Sequence, residues 1–154
     1  MGDRTYYRLA LPATLSREAI RSAAIAFTDG HWTDEDVTRL LDNARSDQTL
    51  WIDIEERYVG ECREAAEAVL AALAEEGQDV AFTVTEDPKY EWLGTMCRYQ
   101  PGRGMHEVDC DANAQAVLSD SALAALTREG SDPATILARI TATLGLDWQT
   151  PAAI

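Results

Sequence analysis

The spacing of apolar residues switches along this chain between every second position and the three-or-four spacing of a helix, and no other feature narrows the fold as far. Tyr7, Leu9 and Leu11 alternate with Tyr6, Arg8 and Ala10, the period of a strand with one buried face. Leu50, Ile52 and Ile54 alternate in the same way with Trp51, Asp53 and Glu55, and Val80, Phe82 and Val84 with Ala81, Thr83 and Thr85. Between the last two, Cys62, Ala65, Ala66, Val69, Leu70 and Leu73 fall on one face of a helix over 61–76 that Gly77 closes. Strand, helix, strand in that order predicts a right-handed crossover with the two strands parallel.

Local signals place the remaining elements. Ser16 predicts a helix start, with Leu15 stapled to Ile20 and the helix running to Gly30. Thr33 predicts a second start, with Asp36 reaching back, Trp32 stapled to Val37 and an end near Arg45. Past Pro88 the pattern is that of a hairpin over 91–100 and 105–111, with Gln100 opposite Met105. That register puts Cys97, His106, Val108 and Cys110 on one face and Met96, Arg98, Glu107 and Asp109 on the other. Leu118 and Leu123 staple a fourth helix. Asp132-Pro133 opens a fifth, and Gly130 and Gly145 supply stops.

No linker or break in composition divides the 154 residues, and 46% hydrophobic residues suffice for a core. The expectation is a single α+β domain over 1–154: strand, two helices, strand, helix, three-strand meander, two helices. It has two layers, a mixed sheet of about five strands, and helices mainly on one face. The other face would present Tyr6, Arg8, Trp51, Asp53, Glu55, Trp92 and Met96, a mixture that usually meets another helix or a partner.

With 27 acids against 13 bases the net charge is −14. Such a chain repels the phosphate backbone and anionic membrane surfaces, which argues against direct binding of nucleic acid or membrane. Three cysteines, an odd and sparse set, argue against a disulfide scaffold and for a reducing cytoplasm. No secretion signal is legible, nor an apolar run of the roughly 18 residues that span a bilayer.

The whole of the net charge lies within residues 29–111, and acids and bases balance in the remainder. Asp34, Glu35 and Asp36 have a local cause, since carboxylates are favoured in the first turn of a helix. Glu75 and Glu76, at a helix C-terminus, lack that cause. Duplex DNA carries about one charge per 1.7 Å of axis, so a protein that replaces it needs a dense acidic stripe. The expected stripe is Asp53, Glu55, Glu107, Asp109 and Asp111 on outward strand positions, with Glu61, Glu64 and Glu67 on a helix, and Trp51 and Trp92 as aromatic anchors. The function this pattern suggests is a small acidic interaction or inhibitor protein, cytoplasmic and carried on a mobile element. It would be a DNA mimic of the anti-restriction or anti-CRISPR kind that docks on a basic, nucleic-acid-handling protein or complex. An acidic, soluble proteome produces the same charge without any partner.

Other chemistry is weaker. Residues 109–120 place oxygen-bearing side chains at EF-hand-like positions, but Ala114 stands where that loop needs glycine, and a turn around Asn113 explains the same residues. Cys97, His106 and Cys110 could form three soft ligands, although a structural zinc needs a fourth and buried cysteines beside a satisfied histidine explain them equally. No metal, cofactor or catalytic residue is assigned, because no nucleotide, hydrolase or metalloprotease motif is present. The rival reading is a small ligand-binding domain or enzyme with a pocket between the sheet and residues 86–111.

Overall fold

In the computed structural model, residues 3–43, 49–90, 92–128 and 132–148 are described, without the side chains of Glu55 and Glu56. The elements follow the expected order: β1 (Arg4–Pro12), α1 (Arg17–Phe27), α2 (Asp34–Asp42), β2 (Thr49–Tyr58), α3 (Cys62–Glu75), β3 (Phe82–Glu86), β4 (Gly94–Gln100), β5 (Gly104–Cys110), α4 (Asp120–Thr127) and α5 (Pro133–Leu144). This is an α+β fold. Arg45 and Gly130, expected at helix ends, lie outside the described residues.

The strands form one sheet in the order β2-β1-β3-β4-β5, and every ladder between them is antiparallel. The sheet is therefore not mixed as expected. The α3 crossover does bring β3 back in the direction of β2, but β1 lies between the two and pairs with both. On one face Tyr7, Leu9, Leu11, Leu50, Ile52, Phe82, Val84 and Cys97 meet Ala19, Ile20, Ala23 and Phe27 of α1, Val37 of α2, and Cys62, Ala65, Ala66, Val69 and Leu73 of α3. The alanines let α1 and α3 lie close to the sheet, and each large apolar side chain buried there contributes about 1.5–3 kcal/mol.

The hairpin is shifted by one residue from the expected register. Gln100 pairs with Gly104 and Tyr99 with Met105, so Cys97 stands opposite Glu107 and Arg98 opposite His106. The cause is a three-residue loop, 101–103, in which Gly102 has φ +74° and Gly104 rejoins the ladder at φ +91°. A slip of one residue exchanges the faces of a strand. Glu107 and Asp109 thus share the helix-side face with Cys97, while His106, Val108 and Cys110 join Met96 and Arg98 on the other.

That second face is partly covered by the chain itself. Met96, Val108 and Cys110 pack with Ala116 in a small separate core. The C-terminal end of α5 docks beside it: Arg98 Nη2 donates to the Leu144 carbonyl at 2.7 Å, and His106 Nε2 lies 3.1 Å from the Ala142 carbonyl. Among the described residues no helix is long and apolar enough to cross a membrane.

Candidate functional site

The cleft of interest forms where α1 ends. Thr28 caps α1 with its hydroxyl donating to the Ala24 carbonyl at 2.7 Å, and the same oxygen accepts from the Trp32 amide at 3.2 Å. Asp29 and Gly30, at φ 54° and 83°, turn the chain between them, and the aspartate occupies the left-handed region at some conformational cost. Thr33 and Asp36 then form the expected reciprocal capping box. The Thr33 amide donates to Asp36 at 2.8 Å and the Asp36 amide to the Thr33 hydroxyl at 3.3 Å. Those bonds hold the Asp36 carboxyl below the usual range, first through the Thr33 amide and then its hydroxyl. Trp32 is thereby fixed at the head of α2, over the edge of the sheet.

Two adjoining cavities lie between this segment and β2. The wider, about 790 Å³, is lined by Thr28, Asp29 and His31 of the loop, by Ile54, Arg57 and Tyr58 of β2, and by Arg4 and Glu61. The narrower, about 340 Å³, lies between Arg39, Leu40 and Asn43 of α2 and Thr49, Leu50 and Trp51 of β2. Trp32 and Asp36 line both and form the wall between them.

Arg57 is the central cation of the wider cavity. Its Nη1 donates to the Phe27 carbonyl at 2.8 Å, at the negative end of α1. Its Nε lies 3.4 Å from the Glu61 carboxylate, within ion-pair range. That contact is not aligned as a hydrogen bond, and among the described residues the buried Nε–H has no acceptor. Arg4 donates to the Tyr58 hydroxyl at 3.3 Å and lies 4.9 Å over the same ring.

Beneath the cavity is a fully buried polar lock. The Tyr7 hydroxyl sits between the Glu86 carboxyl and the Tyr58 carbonyl, 2.6 Å from the latter, and accepts from the Glu61 amide at 3.0 Å. Gly60 donates its amide to Glu86 at 2.8 Å. Burial, and then the neighbouring Glu86, push the Tyr7 hydroxyl well above the ordinary tyrosine range. The lock ties β1 and β3 to the end of β2 and so fixes where Arg57, Tyr58 and Glu61 stand.

The acidic residues expected to form one stripe are distributed over several places. Asp53 pairs with Arg8 at 3.0 Å on the face of β2 away from the helices, and Trp51 lines the narrower cavity. The side chain of Glu55 is outside the described residues. Glu61 belongs to the wider cavity, with Arg57. At the opposite edge of the sheet Arg63 bridges Glu67 at 3.2 Å and Glu107 at 3.4 Å, with Glu64 and Asp109 exposed nearby on α3 and β5. Glu75 and Glu76 lie at the far end of α3, where Glu76 accepts from Ser22 at 2.7 Å. Asp111 accepts from the amides of Asn113 and Gln115, which makes it part of a turn. Trp92 is exposed in a loop closed by backbone bonds to Lys89. Four strand spacings, about 19 Å, and the thickness of the sheet separate Asp53 from Glu107. Through Arg63 the structure brings Glu67 and Glu107 together, and it does not bring Asp53, Glu75 or Asp111 to them.

The expected pocket between the sheet and residues 86–111 is replaced on one side by the Met96, Val108 and Cys110 core. The described cavities lie instead along β2 and beside α5. The register shift also separates Cys97 from His106 and Cys110. All three cysteines are free and buried, and among the described residues no group of three potential ligands is set to hold a metal. Sequence reading missed Arg4, Arg57 and Tyr58. The one signal for them was a basic residue, Arg57, at the end of a strand otherwise rich in acids.

Comparison with curated proteins and with solved structures returns no match. One family model, described as a protein of unknown function, matches residues 23–152, which takes in both cavities apart from Arg4. With most of its length covered, the chain belongs to the DUF3145 family.

Proposed function

We propose that this protein is a binding module whose ligand occupies the paired cavities between α2 and β2. The observation that carries the reading is the pair of adjoining cavities that share Trp32 and Asp36 in their lining, the wider of them also lined by Arg4 and by Arg57 with its partner Glu61. Their volumes fall in the range of small-ligand sites; the narrower has mainly apolar walls, and the wider is lined mostly by polar and charged side chains. Binding, rather than catalysis, fits the chemistry: Thr28, Asp36 and Glu61 are each engaged in holding the loop or the arginine. A fragment screen by nuclear magnetic resonance tests this. Fragments with a ring and a carboxylate are expected to shift the Trp32 indole signal, and Trp32→Ala and Arg57→Met should abolish those hits. Hits that survive both substitutions would overturn the site.

A second reading keeps the acidic docking protein, now confined to the α3–β5 edge. It is favoured by Arg63, which draws Glu67 and Glu107 together in a chain of net charge −14. On this reading the protein is a cytoplasmic inhibitor that holds a basic, nucleic-acid-handling complex. Affinity for that partner should fall steeply with salt and vanish in a Glu64→Gln, Glu67→Gln, Glu107→Gln, Asp109→Asn variant. Undiminished capture by the variant would remove the reading.

A further inference from the structure

α5 is held to the sheet by a small set of polar contacts. Among the described residues neither α4 nor α5 contains a buried side chain, whereas α1 and α3 are anchored by five each. What ties α5 down is its last turn, on the face of the sheet away from α1 and α3. Arg98 of β4, only 3% exposed, donates from Nη2 to the Leu144 carbonyl at 2.7 Å. His106 stands opposite Arg98 in the ladder, with Nε2 3.1 Å from the Ala142 carbonyl and Nδ1 3.2 Å from the same Arg98 Nη2. Trp148 closes the cluster, its ring 5.2 Å from the imidazole and 4.2 Å beneath the Arg103 guanidinium. Gly145 passes so close that an added Cβ would stand 2.9 Å from His106 Nδ1, which leaves the ring little room to draw back.

A single protonation state fits these partners. A carbonyl can only accept, so Nε2 carries its proton toward Ala142; a guanidinium can only donate, so Nδ1 presents its lone pair to Arg98. A second proton, on Nδ1, would aim one N–H at another and set an imidazolium beside a guanidinium closed off from water. Among the described residues the charged side chains around the ring are Arg98 from β4, Arg103 from the β4–β5 loop and Asp147 beyond α5, and Asp147 is already paired with Arg103 at 2.6 Å. Burial first, and then Arg98, hold the imidazole below the ordinary histidine range, against the pull of the Ala142 and Thr143 carbonyls.

We propose that His106 is a pH-operated latch, which as the neutral imidazole holds the last turn of α5 on the sheet and as the cation releases it and uncovers Arg98. The sign follows from the contacts: the docked state favours the neutral ring, so docking is complete above the ordinary histidine value of 6.5 and is lost as pH falls below it. Because α4 and α5 bury no side chain, the opening is local and leaves the core under α1 and α3 closed.

The experiment follows hydrogen exchange of the 141–148 amides on the full chain from about pH 7.5 to about pH 5, corrected for the intrinsic pH dependence of exchange, beside the nuclear magnetic resonance titration of the His106 ring. Protection of 141–148 should fall about tenfold, the order of one lost hydrogen bond, with the midpoint at which His106 takes up its proton, while the β1 amides keep theirs. His106→Gln retains a donor and an acceptor without titrating and should hold α5 at every pH. Protection that stays constant while His106 titrates would overturn the latch, and so would an equal fall in His106→Gln. Should glutamine fail to hold α5 at any pH, Asp147→Asn decides: a pH response that persists there, still coincident with the His106 titration, supports the latch, and its disappearance assigns the response to Asp147 and overturns it.

Discussion

Tyr7 is the residue on which the largest polar stake rests. Its hydroxyl, fully buried, is held among the Glu86 carboxyl, the Tyr58 carbonyl and the Glu61 amide. Replacement by phenylalanine leaves the ring in place and strips Glu86 of a partner, which costs on the order of 1.5–3 kcal/mol for a hydrogen bond to a charged or buried carboxyl. The pH dependence has a definite sign. Because the folded state raises the Tyr7 pKa above the ordinary tyrosine value of 10.0, the associated stability is complete below pH 10 and is lost as pH rises beyond it. Urea unfolding midpoints should fall between pH 9 and pH 11 in the parent, and Tyr7→Phe should remove that tyrosine-linked part of the fall. Gly145 is sensitive for a different reason. It ends α5 at φ +66°, and an added Cβ would stand 2.3 Å from Arg98 Nη2 and 2.6 Å from His106 Cε1. Gly145→Ala should cost at least about 1 kcal/mol and loosen the docked end of α5, which exchange of the 141–148 amides would register. Normal protection there would contradict the packing.

At the scale of elements, what depends on near neighbours was legible. The alternation in β1 and β2, the amphipathic face of α3, the Ser16, Thr33 and Asp132 caps and the Gly145 stop all appear where the pattern put them, while β3 begins at Phe82 rather than Val80 and is buried on both faces. The capping box is the most consequential, since it sets Trp32 over the cavities. Thr33→Ala should lower stability by about 1 kcal/mol, and any ligand-induced shift of the Trp32 indole should weaken with it. An unchanged thermal midpoint would mean that α2 does not need its cap. The hairpin register was not legible, because residues 101–104 contain two glycines and fit a loop of either three or four residues. Only φ +91° at Gly104 selects the shorter loop, and with it the faces on which Glu107 and His106 lie.

For the molecule as a whole, the excess of negative charge acts over distances that no single contact resolves. Most of the ion pairs are exposed, and such pairs contribute little individually. A net charge of −14 repels itself at every separation within the screening length. Raising sodium chloride from 20 to about 200 mM, where that length shrinks to less than 10 Å, should therefore raise the thermal midpoint. A fall would show that attractive pairs outweigh repulsion. The amino-acid sequence by itself determined the order and kind of the elements, their caps and the acidic surplus, because these rest on side-chain periodicity and on bonds spanning three or four residues. The tertiary structure decided that β1 separates β2 from β3, that the acids divide between opposite edges, and that Arg4, His31, Arg57 and Tyr58 meet around one cavity. Those outcomes depend on which distant strands exchange backbone hydrogen bonds, a choice made by the burial of whole faces and carried by no local stretch of chain.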